Sequence, residues 1–114
     1  KLATNFMLKK KERLTKKEFD RFFSSGKRIH SPLFTLLYTP DESFHGAVVV
    51  GKKIHKKAVD RNRLRRRLYS ALYKEVKDTD TKGVFIVLTK PGAVGLDFSL
   101  LRLAISDILK TIKK

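Results

Sequence analysis

Five arginines fall within seven positions, Arg61, Arg63, Arg65, Arg66 and Arg67, and Lys52, Lys53, Lys56 and Lys57 stand just ahead of them. Nine bases thus face one acid, Asp60, between residues 52 and 67. A guanidinium stays charged at every accessible pH, so it is useless as an acid or base. Its planar fork of donors does match phosphate oxygens. The chemistry on offer is anion recognition. Leu64, Leu68, Ala71, Leu72 and Val76 recur at i, i+4, i+7, i+8 and i+12 through the same stretch. That spacing predicts an apolar-striped helix over about 59–76. On its wheel Arg63 and Arg66 point away from the stripe, beside Asn62, Ser70 and Tyr73. Arg65 and Arg67 take the two flanks, and Arg61 sits at the N-terminal end near the buried side. A solvated charged helix usually balances Lys or Arg with Glu at i±4. Here no acid lies between Arg61 and Lys74. The lysines ahead of the helix add to the partial positive charge of its N-terminus, where anions bind well.

The other reactive side chains form no catalytic pattern. His30, His45 and His55 are scattered, with no HxxxH spacing; His30 and His45 read as strand-end surface residues and His55 as part of the basic loop. Asp41, Glu42, Asp78 and Asp80 lie in turn-like stretches and lack the paired spacing of a two-metal nuclease. Gly92 and Gly95 flank a turn and do not make a phosphate loop. The chain by itself reads as inert, with any catalysis left to a partner. Phe19, Phe22 and Phe23, at i, i+3 and i+4, give one helix an aromatic face. Such a stripe is usually core, although single-stranded nucleic acid also stacks on aromatic faces. Phe22 is assigned to the core.

The net charge of +16, from 27 Lys and Arg against 11 Asp and Glu in 114 residues, points first to nucleic acid. An anionic membrane surface comes second and fits less well, because the arginine helix sits inside a folded domain. No apolar run approaches the roughly 20 residues of a membrane-spanning helix. Cysteine is absent, which suits a reducing cytoplasm.

These residues are positioned by one α+β domain, read in the order α-β-β-α-β-α as a small mixed sheet packed with helices. Residues 1–6, ahead of Met7, are set aside as foreign to the natural chain or disordered, and 7–114 form the domain. "LTKKEFDRFFSSG" is a helix with a Thr15/Glu18 capping box and a stop at Gly26. A strand at about 33–39 carries Phe34, Leu36 and Tyr38 on one face. "HGAVVVG", residues 45–51, is a second strand, expected to form an antiparallel hairpin with the first. "VFIVLTK", residues 84–90, is a third. The unbroken apolar runs Val48–Val50 and Val84–Leu88 suggest central strands. A final helix over residues 98–113 buries Leu101, Ala104, Ile105, Ile108 and Ile112.

"GKKIHKKAVDRNRLRRRLYSAL" resembles the signature of the bacterial ribonuclease P protein subunit, a Lys-Lys pair followed by Arg-Asn-Arg-hydrophobic-basic-Arg. "RLTKKEFDRFFSSG" is similar to that family's first helix and "GVFIVLTKPG" to its strand before the last helix, so the likeness covers nearly the whole chain from Met7. The resemblance implies a protein that assists a catalytic RNA, which uses bound Mg2+ to cut precursor tRNA at the mature 5′ end. It implies that Arg61, Asn62, Arg63, Arg65, Arg66 and Arg67, with Lys52, Lys53, Lys56 and Lys57, face the catalytic RNA. It implies a cleft for the unpaired 5′ leader lined by Phe19, Phe23, Phe34 and either Tyr38 or Leu37. A left-handed crossover around the arginine helix is implied as well. Tyr69 departs from the family pattern, which commonly has Arg there, and Arg67 stands where an apolar residue is usual. A structural, ribosomal-type RNA-binding protein without a leader cleft is the alternative.

Overall fold

Thr15 and Glu18 open helix α1 (Lys16–Ser25) as a reciprocal cap. The Glu18 N–H donates to Thr15 Oγ1 at 3.2 Å and the Thr15 N–H donates to Glu18 Oε1 at 2.9 Å. These bonds, chiefly the one from the Thr15 backbone, favour the carboxylate and hold the Glu18 pKa below its ordinary value. The helix stops at Gly26 by close approach: φ is −70°, and a Cβ there would lie 2.9 Å from Phe22 O. The computed structural model describes residues 12–112. The expectation for residues 1–6 lies outside the described residues.

Strands β1 (Lys27–His30), β2 (Phe34–Thr39) and β3 (Phe44–Val49) follow, then helix α2 (Ala58–Thr79), strand β4 (Gly83–Thr89), a 3-10 turn at Pro91–Ala93 and helix α3 (Phe98–Ile112). The order is α-β-β-β-α-β-α, one strand more than expected. Nothing in "KRIH" marks a strand, since only Ile29 of its four residues is apolar. β2 offers a free edge and β1 pairs with it antiparallel, Ile29 opposite Leu36.

The sheet order is β1-β2-β4-β3, with β2 and β4 antiparallel and β3 and β4 parallel. The expected hairpin between the strands at 33–39 and 45–51 therefore does not form. β4 inserts between them, and residues 40–43 step across it. β4 is central, as its apolar run suggests, whereas β3 is an edge strand. Its outer side meets the preceding chain in one parallel bridge, Arg13 to Gly46. The topology follows from α2. It covers the sheet on the way from β3 to β4, and this crossover lets the two strands run parallel as a βαβ unit.

The sheet is covered unequally on its two faces. Phe34, Leu36, Phe44, Val48, Phe85 and Val87 meet Leu64, Leu68 and Leu72 of α2 and Leu101, Ile105 and Ile108 of α3 in the main core. On the opposite face Leu37, Ala47 and Ile86 form a smaller cluster under Leu14, Phe19 and Phe22. α1 covers that face only in part, leaving Val49 and Leu88 half-buried.

Candidate nucleic-acid interface

Leu64, Leu68, Ala71, Leu72, Glu75 and Val76 bury one side of α2. With that side fixed, Asn62, Arg63, Arg66 and Arg67 are exposed and Arg61 and Arg65 are half-buried. The ion pairs among the described residues are His45–Asp41, Lys77–Glu12 and Arg102–Asp78. None involves an arginine between 61 and 67, so the ridge keeps its charge. Arg65 Nη1 donates to Asn62 Oδ1 at 2.6 Å, which fixes the fork along the helix axis without neutralising it. Arg67 stands out in solvent, whereas Tyr69 is half-buried against the main core. The departures from the family pattern thus leave the charge outward at a neighbouring position.

Lys52, Lys53, Lys56 and Lys57 are all exposed in the turn that leads into α2. Lys57 is the N-cap and supplies no side-chain cap bond, and Asp60 is the one acid in the first turn. A recess of about 160 Å³ opens there between His55, Asp60, Arg63, Leu64, Arg67, Gly95 and Leu96. Two ridge arginines, the loop and the turn before α3 thereby meet at one place. Gly95 and Leu96 gave no signal in the sequence, because only the fold brings that turn against α2. Arg61 behaves differently from its neighbours. Its Nη1 donates to the carbonyls of His55 at 3.0 Å and Lys56 at 2.8 Å. Part of its fork is therefore committed to the protein.

The aromatic residues separate by sheet face. Phe19 and Phe23 stack with ring centroids 5.6 Å apart, and Arg28 lies over the Phe23 ring at 5.3 Å. Phe23 is 36% exposed. Phe22, assigned to the core, is only half-buried, with the Arg21 guanidinium 4.5 Å from its ring centre. Phe34 and Tyr38 do not join them. Phe34 is 0% exposed, and the Tyr38 ring packs tilted against Phe85, centroids 5.2 Å apart, on the α2–α3 side of the sheet. Strand alternation puts Leu37 beneath α1 instead, opposite Ile86 on β4 and Arg28 on β1. Phe34 and Tyr38, expected beside Phe19 and Phe23, thus lie on the opposite face of the sheet, Phe34 fully buried and Tyr38 half-buried. Leu37 shares the face of Phe19 and Phe22 but is itself buried beneath them, with the half-buried Leu88 and Val49 beside it. Arg28 was not anticipated either; recognising β1 would have found it.

A larger cavity of about 470 Å³ lies near the far end of α2, lined by Glu12, Glu42, Phe44, His45, Lys77, Asp80 and Lys82 among others. Its charges are mixed, which suits no polyanion. Among the described residues no group of three or more His, Asp or Glu is arranged to hold a metal ion. No helix among them is long and apolar enough to cross a membrane.

The family model described as Ribonuclease P matches residues 8–113. A ribonuclease P protein component from Nitratiruptor is 38% identical over 100 residues, covering 88% of this chain and 90% of the relative. One from Geotalea uraniireducens is 31% identical over 112 residues, covering 96% and 97%. The solved RNase P protein from Thermotoga maritima is 25% identical and superposes with a TM-score of 0.76, covering 90% of this chain and 99% of that one.

Proposed function

Because this chain belongs to the ribonuclease P protein family, we propose that it is the RNA-binding subunit of a ribonucleoprotein that makes the mature 5′ end of tRNA. The observation that carries this reading is the outward set Arg63, Arg66 and Arg67, exposed on a helix anchored by leucines and free of ion pairs. Arginine forks of this kind hold backbone phosphates of a folded RNA, with Asn62, Arg65 and the lysines of residues 52–57 extending the contact. The catalytic RNA supplies the reaction, with Mg2+ bound at its own active site. The protein contributes charge neutralisation and substrate grip.

The α1 face takes the single-stranded 5′ leader of precursor tRNA. Phe19 and Phe23 offer rings for base stacking, and Arg28, Arg21 and the exposed lysines of α1 bring cations to the same strip. Leader and catalytic RNA then occupy different faces of one small domain, so the protein bridges substrate to catalyst. A cytoplasmic location follows from the tRNA substrate.

The experiment is reconstitution with the ribonuclease P RNA of the same organism. By itself the protein should cleave nothing; added to the RNA, it should lower the magnesium requirement and favour precursor over mature tRNA. If the preference for precursor survives trimming of the leader, the α1 face has another purpose. If the protein binds RNA without assisting cleavage at all, the subunit reading fails.

A further inference from the structure

The lysine-rich approach to α2 presents a physical difficulty. Four lysines, at 52, 53, 56 and 57, crowd a helix N-terminus that already carries partial positive charge. Repulsion should drive this segment away from the helix. Its internal bonds are few: the Ile54 N–H donates to Gly51 O at 3.0 Å and the His55 N–H donates to the same oxygen at 3.5 Å. The N-cap side chain contributes none. Ile54 packs against the main core, and Arg61, one turn into α2, ties down the backbone that follows it. Both Nη1 hydrogens are used, one for each of the His55 and Lys56 carbonyls, at 3.0 and 2.8 Å. The held backbone adjoins the ridge, since His55 lines the same recess as Arg63 and Arg67.

We infer that Arg61 is a positioning residue: it fixes the 51–57 loop against the start of α2, so that its lysines and the ridge arginines form one preorganised cationic surface. A loop ordered before binding spares the complex the entropy of ordering it, and it aligns charges that would otherwise disperse. This assignment rests on the proposal above that the ridge meets the catalytic RNA. It changes what Arg61 does there. Arg63 and Arg66 touch the polyanion; Arg61 acts through the backbone it grips.

The test has one arm without RNA and one with it. In the free protein, Arg61→Ala should speed amide exchange at Ile54 and His55, whose N–H groups bond to Gly51 O, by about tenfold or more, while Arg63→Ala leaves that exchange alone. In binding to the ribonuclease P RNA of the same organism, Arg61→Ala should weaken affinity about tenfold. Combining it with Lys52→Ala and Lys53→Ala should cost little beyond the larger single loss, because the lysines are already misplaced. Arg63→Ala with the same lysine changes should instead multiply. Unchanged loop exchange in Arg61→Ala, or fully multiplicative losses, overturns the assignment. If Arg63→Ala and Arg66→Ala leave binding intact, the proposed function fails, and the exchange arm still judges Arg61 on its own. Should Arg61→Ala not fold, Arg61→Lys keeps the charge, loses the planar fork, and carries the same comparison.

Discussion

Arg66→Ala isolates the charge of the ridge from its architecture. Arg66 is exposed, enters none of the ion pairs among the described residues, and projects from the side of α2 opposite the buried leucines. Its removal takes no apolar area from the core, so stability should change by no more than about 0.5 kcal/mol. Binding to the catalytic RNA should change far more, by about 1.5–3 kcal/mol for a charge-assisted contact at low salt. The salt dependence identifies the cause. One lost phosphate contact flattens the slope of log K against log salt by roughly 0.7–0.9. Over a fourfold rise in salt the deficit of the variant should therefore shrink by about threefold. Fluorescence anisotropy across a salt series measures this directly, with thermal denaturation run beside it. Arg102→Ala is the control, since Arg102 pairs with Asp78 away from the ridge, and it should leave the slope unchanged. A slope identical to that of the unaltered protein would refute outward phosphate contact. A large fall in melting temperature for Arg66→Ala would show that its side chain is structural.

Other expectations follow from the remaining side chains. Phe23→Ala should reduce affinity for precursor tRNA by about 1–3 kcal/mol while leaving mature tRNA unaffected, and titration with tRNAs of graded leader length measures it. Phe34→Ala should behave in the opposite way, costing about 3–5 kcal/mol of stability in denaturant titration through a cavity in the main core. Glu18 makes part of the stability of α1 depend on pH. Because its folded pKa lies below the ordinary 4.5, its contribution is present above that value and is lost as pH falls through the lower folded value. Glu18→Gln should flatten the melting temperature against pH in that acidic window and nowhere else; an unchanged profile would remove Glu18 as a source.

Local physics made a large part of this molecule legible. The capping box at Thr15 and Glu18, the stripe from Leu64 to Val76 and the run of the last helix each depend on residues within a few positions of one another. Their periods survive in any tertiary setting. The charge asymmetry of the ridge is likewise a property of the chain, because no acid between Arg61 and Lys74 is available at helical spacing to neutralise it. What the sequence could not determine is which strands become neighbours. Alternation shows that Phe34, Leu36 and Tyr38 share a face, yet the side of the sheet that receives α2 and α3 is decided by the crossover that carries β4 between β2 and β3. That placement sends Phe34 and Tyr38 to the core and Leu37 beneath α1, and it gives β1 the edge on which Arg28 reaches Phe23. Arg61 and Arg63 are the same residue type two positions apart, one gripping backbone and one facing solvent. The path of residues 51–57 makes that difference, because hydrogen-bond partners distant from a regular element are fixed only when the whole chain has closed on itself.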